Sequence, residues 1–95
     1  MSDVLTHDDF ASKTGDVFDV RLEDRAVALT LHDVSKLGAA IRSGGGFALY
    51  FDGPADSALP QATYRLVHGE LGQLDIFIVP VSRSGSHVRY EAIFT

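Results

Sequence analysis

Phe47-Ala48-Leu49-Tyr50-Phe51-Asp52 opens the half of the chain that decides its fold, and Val88-Arg89-Tyr90-Glu91-Ala92-Ile93-Phe94 closes it. In the first stretch Phe47, Leu49 and Phe51 alternate with Ala48, Tyr50 and Asp52. In the last, Val88, Tyr90, Ala92 and Phe94 alternate with Arg89, Glu91 and Ile93. Side chains on a strand point to opposite faces in turn, so a period of two specifies a strand with one buried face. Between these stretches, Leu74-Asp75-Ile76-Phe77-Ile78-Val79-Pro80-Val81 is almost continuously apolar, the pattern of a strand buried on both faces. The half from Phe47 to Thr95 thus reads as paired strands. It uses nearly all its apolar residues to build a core and leaves little that looks like chemistry.

The intervening segments fit this reading. Gly53 to Pro60 is a loop punctuated by two prolines, and Gln61 to Glu70 is a strand with Tyr64 and Leu66 inward and Thr63 and Arg65 outward. Leu71-Gly72-Gln73 reads as a tight turn and Ser82 to Ser86 as a hairpin loop. Upstream, Phe18, Val20 and Leu22 alternate with Asp19, Arg21 and Glu23. After a turn at Glu23-Asp24-Arg25, Val27, Leu29 and Leu31 share one face of a return strand. The segment 33–43 is ambiguous. Val34, Leu37 and Ile41 have helical spacing, yet the segment is short and holds Gly38, so a helical turn and a continued strand both remain open. Gly44-Gly45-Gly46 is a flexible break.

The first residues read as a short helix over 6–14. Thr6 caps it, Asp8 and Asp9 suit the positive end of its dipole, Leu5 and Phe10 stand at staple positions, and Gly15 suits the left-handed position past its end. This helix is expected to deliver Phe10 to the core as a plug. The expected architecture is all-β: one domain over residues 1–95, with β-strands over 16–95. About six antiparallel strands form a small barrel or a curled sheet, since short connections make neighbours antiparallel and closure hides edges. Phe10, Phe18, Leu29, Phe47, Phe51, Leu66, Ile76, Ile78, Tyr90 and Phe94 are its predicted core.

Composition narrows function. The 95 residues carry 13 acids and 8 lysines and arginines, a net charge of −5. That argues against a nucleic-acid partner, which needs a basic stripe, and against an anionic membrane surface. No apolar stretch approaches the ~20 residues of a membrane-crossing helix. The acidic start Met1 to Asp9 lacks the apolar region of a signal peptide, so a cytoplasmic location is expected. With no cysteine, disulfides, thiol catalysis and thiolate zinc sites are excluded.

Each candidate for chemistry has a plainer explanation. His7-Asp8-Asp9 is accounted for by helix capping, and His32-Asp33 and His68-x-Glu70 by hydrogen-bonded pairs. Ser82, Ser84 and Ser86 lie near His87, but they have the composition of a hairpin tip and no nucleophile elbow surrounds them. Gly44-Gly45-Gly46 opens a strand rather than a helix, unlike a phosphate cradle. Asp52-Gly53-Pro54 with Asp56 lacks the ligand spacing of a calcium loop. No cofactor, metal site or catalytic residue is therefore expected.

The combination Phe47-x-Leu49-x-Phe51-x-Gly53-Pro54, Leu59-Pro60-Gln61-x-Thr63-Tyr64, Leu71-Gly72-x-Leu74-x-Ile76-Phe77-Ile78-Val79-Pro80-Val81 and Tyr90-Glu91-Ala92-x-Phe94 resembles a small bacterial family known only as a domain of unknown function. Leu5-Thr6-x-x-x-Phe10-x-x-x-x-Gly15-x-x-Phe18 fits the same pattern. The resemblance covers essentially the whole chain. It implies a stand-alone accessory protein, sometimes encoded beside phage-tail-collar-like proteins, and supplies no catalytic residue.

Two functions follow as expectations. The first is a non-enzymatic interaction or assembly module that binds another protein, or a second copy of itself, through a strand edge or an outer sheet face. Tyr50, Arg65 and Arg89 are its candidate interface residues, because Tyr and Arg are enriched at such anchors. Arg65, Arg89 and Glu91 can also form a cross-strand charge ladder. The second is a small-molecule-binding barrel, less readily an enzyme, whose mouth is lined by Tyr64, His68 and Tyr90. It requires a cavity above ~300 Å³ with convergent polar groups.

Overall fold

Six strands close on themselves in the order β1-β2-β3-β6-β5-β4, every adjacent pair antiparallel. The computed structural model describes residues 7–36 and 46–94. A short helix α1 (His7–Ala11) precedes β1 (Val17–Arg21), β2 (Ala26–Lys36), β3 (Phe47–Pro54), β4 (Ala62–His68), β5 (Gly72–Ser84) and β6 (His87–Phe94). The expected all-β barrel is thus found, and it is fully closed. Two three-strand meanders face each other. β4 returns by a connection over 55–61 to lie beside β1, giving the spatial order 4-1-2-3 of a Greek key.

Two bulges bend the wall. Leu31 stands opposite Phe51 but Asp33 opposite Tyr50, so His32 is an extra residue in β2. Pro80 stands opposite Tyr90 but Ser82 opposite Arg89, so Val81 is extra in β5. An extra residue bends its strand and increases local twist, which helps a sheet curl into a barrel. Gly85, at φ 57°, occupies the first position of the two-residue turn between Ser84 and His87, where a tight hairpin turn favours glycine.

The alternation foreseen for β1, β2, β3 and β6 is observed, except that Ala48, expected outward with Tyr50 and Asp52, is fully buried. Phe18, Val20, Val27, Leu29, Leu31, Phe47, Leu49, Phe51, Tyr90 and Ala92 are buried together, with Leu66, Ile76 and Ile78 from the other wall. Gly53 belongs to this interior register. A Cβ there would lie 2.5 Å from Leu29 Cδ2, so the absence of a side chain lets Leu29 pack over the backbone. Phe10 is completely buried at one end of the barrel, 5.8 Å from the rings of both Phe47 and Phe94. It is the plug expected of the helix. Phe94 is only half-buried and stacks on Phe47 at 4.7 Å, at the edge of the core rather than within it.

Several expectations are corrected. β5 is buried on one face: Ile76 and Ile78 point in, while Phe77 and Val81 are 51% and 48% exposed. A barrel of this size has a single wall, and no described element covers this stretch from outside. The segment 33–36 continues β2 as strand; the rest of the ambiguous 33–43 region, the capping Thr6 and the staple residue Leu5 lie outside the described residues. The helix is shorter than 6–14, since Ser12 to Gly15 form a turn whose Gly15 has φ 93°. β3 extends through Pro54, and β5 starts at Gly72 and runs past the expected loop start to Ser84, so the turn before it is Gly69 to Leu71.

Candidate functional site

The outer face of β3, β6, β5 and β4 carries the chemistry that the core leaves over. Val79 pairs with Glu91, and two residues farther along each strand, toward the same end, stand Phe77 and Ile93. Both are 51% exposed. Thr63 is opposite Phe77 on β4, and Ala48 is opposite Ile93 on β3. Lone exposed apolar side chains are ordinary on a protein surface. Here a phenylalanine and an isoleucine lie on one outer face, each two residues beyond the last β5–β6 pair, with Val79 of that pair half-buried.

Charged and aromatic pairs flank this apolar centre on both sides. On one side the Tyr50 hydroxyl donates to Glu91 Oε2 at 2.9 Å, across the register pair Tyr50–Glu91. The next pair along is Asp52–Arg89: Arg89 Nε and Nη2 donate to the two oxygens of Asp52 at 2.8 and 3.0 Å. On the other side Arg65 Nε donates to Asp75 Oδ1 at 3.3 Å, one level from Thr63 and Phe77. The candidate interface residues Tyr50, Arg65 and Arg89 therefore lie on one continuous outer face. The ladder of Arg65, Arg89 and Glu91 does not form, because each pairs with a different neighbour.

The electrostatics follow from these bonds. The Asp52 carboxyl lies below its ordinary value chiefly because Arg89 donates to it; partial burial opposes the shift, and His32 and His87 add to it. Arg89 is raised by the same pair, so both partners favour the charged form. His32, pushed outward as the bulge residue, sets Nδ1 3.6 Å from Asp52 Oδ2. The Tyr50 hydroxyl is raised by its bond to Glu91 and, to a lesser degree, by burial and nearby carboxylates.

Tyr64, His68 and Tyr90 are all turned toward the interior side of the wall, but they do not converge on one mouth. The Tyr90 hydroxyl accepts the buried Leu59 N–H at 2.9 Å, and the Tyr64 hydroxyl donates to the Pro60 carbonyl at 2.7 Å. Both tyrosines thus hold down the connection from β3 to β4. Burial, and then the neighbouring Tyr90, raise the Tyr64 hydroxyl. His68 lies four residues along β4 from Tyr64, ~13 Å at strand spacing. It is 6% exposed, its ring 4.5 Å from that of Phe18. Its Nε2 meets Asp16 Oδ2 at 2.8 Å, while Nδ1 accepts from the N–H groups of Glu70 and Leu71 at 3.0 and 3.1 Å. Two donors on Nδ1 place the ring proton on Nε2. Every polar atom of the trio is therefore engaged in holding the barrel.

Phe77 and Ile93 were not among the residues singled out from sequence, because the apolar run of β5 hid the parity within it. Their signal was present: Asp75, Phe77 and Val79 alternate with Leu74, Ile76 and Ile78, and Ile93 alternates with Ala92 and Phe94. Among the described residues, no three His, Asp or Glu side chains come together in a metal-holding arrangement. None of the described helices is long and apolar enough to cross a membrane.

No curated protein and no solved structure matches the chain. Residues 5–94, which include every element of this face and its core, match the family model described as a domain of unknown function (DUF6916), and the chain belongs to that family.

Proposed function

We propose that this protein is a non-enzymatic interaction module whose outer face, centred on Phe77 and Ile93, docks on another protein. The single observation that carries the reading is the exposure of these two apolar residues on one outer face, just beyond the last paired residues of β5 and β6, inside a rim of Tyr50–Glu91, Arg89–Asp52 and Arg65–Asp75 pairs. An apolar centre within a rim holding Tyr and Arg is the common anatomy of a protein interface. Ring closure favours this face over a strand edge, since each described strand has a hydrogen-bonded neighbour on both sides. Further support comes from polar groups committed to structure: Tyr64, Tyr90 and His68 hold the barrel rather than face a substrate. Net charge of −5 favours a protein partner over nucleic acid or an anionic membrane. A stand-alone accessory protein, the role implied by the family resemblance, is the setting in which such a face works, in the cytoplasmic location expected from the sequence.

The test is parallel affinity capture from the native organism with the wild-type protein and the Phe77→Asp variant, joined to light scattering on each. A charge at an outward position leaves the barrel intact and disrupts an apolar docking centre. The expected result is a repeatable partner, or a dimer of the protein itself, with the wild type and its loss with the variant. Capture that is unchanged by Phe77→Asp, or a monomer that captures nothing, overturns the reading.

A further inference from the structure

An open groove of about 560 Å³ lies between the β3–β4 connection and the bulged end of β5. Leu59 and Val88, each nearly buried, supply its base; the exposed Pro60 and Pro80 supply its sides, and Ser82 and Arg83 its polar end. Its volume is that of a small-ligand site, and an apolar lining with few polar groups is the usual composition of one. It lies next to the connection that Tyr64 and Tyr90 hold, with Val88 on the same face of β6 as Tyr90, but none of Tyr64, His68 and Tyr90 lines it.

Arg83 gives this groove its chemistry. Its Nη2 donates to the Ala55 carbonyl at 2.9 Å, which ties the guanidinium to the connection. The ion pairs among the described residues leave Arg83 without a carboxylate, although the chain holds 13 acids. A guanidinium has about five N–H donors in a planar fork, so most remain available. A cation fixed in place loses less freedom on binding than one on a free side chain. An apolar base next to a tethered, unpaired guanidinium complements one chemical class.

We propose that this groove binds a small apolar monocarboxylate, with its hydrocarbon body over Leu59 and Val88 and its carboxylate on Arg83. A peptide lying as an added strand does not suit the site, because residues 79–84 of β5 already pair with β6 on one side and Pro80 lacks the N–H that a ladder on the other side needs. The protein's net negative charge does not forbid an anion here, since charges beyond about 10 Å are largely screened at moderate salt.

The experiment is an amide chemical-shift titration of the full chain with hexanoate and benzoate, and with hexanamide as the uncharged counterpart of hexanoate. Saturable shifts at Leu59, Ser82, Arg83 and Val88 are expected, with hexanoate Kd at or below roughly 1 mM and hexanamide weaker by about tenfold. Arg83→Gln keeps a donor for Ala55 but no charge; it should weaken hexanoate by about tenfold and leave hexanamide unchanged. Ala58→Phe, at the exposed rim, should block both. Shifts that never saturate, equal response to acid and amide, or shifts centred on Arg65 or Arg89 overturn the proposal. The acid–amide comparison uses the unaltered protein, so it decides the matter even where a variant misfolds. None of these readouts involves Phe77, so failure here is separable from failure of the docking face.

Discussion

Asp52 is the residue where the outer face is most strongly fixed. It sits on β3 with a 21% exposed side chain and takes both oxygens to one guanidinium, with two histidines nearby. Bidentate pairs of this kind are stronger and more directional than single exposed ion pairs. The folded state lowers the Asp52 carboxyl below its ordinary 3.8, mainly through the Arg89 bonds. A carboxyl depressed on folding contributes stability that is complete above its unfolded value and is lost as pH falls through the folded one. Acidification from about pH 5 to about pH 2 should therefore lower the Tm of the wild type more than that of Asp52→Asn, which has no such titration. Thermal melts of both proteins across that range check this; parallel Tm curves would show that the pair contributes nothing to acid stability. Sequence alternation sufficed to place Arg89 and Tyr50 outward. It was silent on which charge each would meet, because partners on β3 and β6 lie 37 and 41 positions apart and are chosen by register.

The connection from β3 to β4 is the element that makes the barrel a Greek key rather than a simple meander. It reads in the sequence as a proline-punctuated loop, and the chain does turn there through a 3-10 turn at Ala55–Ser57. What fastens it is long-range. Leu59 is buried, and its N–H has the Tyr90 hydroxyl as acceptor from a strand 31 positions away, while Tyr64 ties Pro60 from the other side. A buried N–H deprived of its acceptor costs about 1–3 kcal/mol. Tyr90→Phe keeps the ring's packing in the core and removes only that acceptor. It should destabilise the protein by about that amount in urea titration and speed hydrogen exchange at Leu59 above all other amides of the connection. Tyr64→Phe, on a half-buried side chain with an exposed bond, should cost less. Element types were legible because strand periodicity is local, as were the plug role of Phe10 and the hairpin tip at Gly85-Ser86. The roles of Tyr64, His68 and Tyr90 were not, since a tyrosine that holds a loop and one that faces a ligand have the same place in the alternation. β5 differs from its sequence reading for a related reason: Phe77 and Val79 are as apolar as Ile76 and Ile78, and only the geometry of a single-walled barrel turns them to a face that no described element covers.

At the scale of the whole molecule, closure depends on one short seam. β3 and β6 pair along their full length, from Phe47–Phe94 to Pro54–His87, whereas β1 and β4 pair only from Asp19–Val67 to Arg21–Arg65. The seam joins the first meander to the second, so its opening converts a barrel without edges into a sheet with two. Sheet edges are where pairing with other chains begins. His68 extends the seam past its last paired residues. Continued in register it faces Phe18, and the ring lies 4.5 Å from that of Phe18 while Nε2 reaches Asp16. Nδ1 meanwhile gathers the turn before β5 onto the same ring. One side chain thus fastens the start of β1, the end of β4 and the following turn. Proteins open in cooperative units whose free energies differ, and a short ladder at a closure is a weak one. Native-state hydrogen exchange should therefore show the β1 and β4 amides bonded across the seam opening at lower free energy than those between β3 and β6. His68→Ala should widen that gap by about 1–3 kcal/mol, because it removes a ring buried at the seam together with its three part-buried hydrogen bonds. If the variant instead lowers protection equally in every strand, the barrel opens only as a whole and the seam is not its weak point. If the gap widens as expected, the same variant should gain a tendency to associate through the exposed edges of β1 and β4, which light scattering at rising concentration will detect.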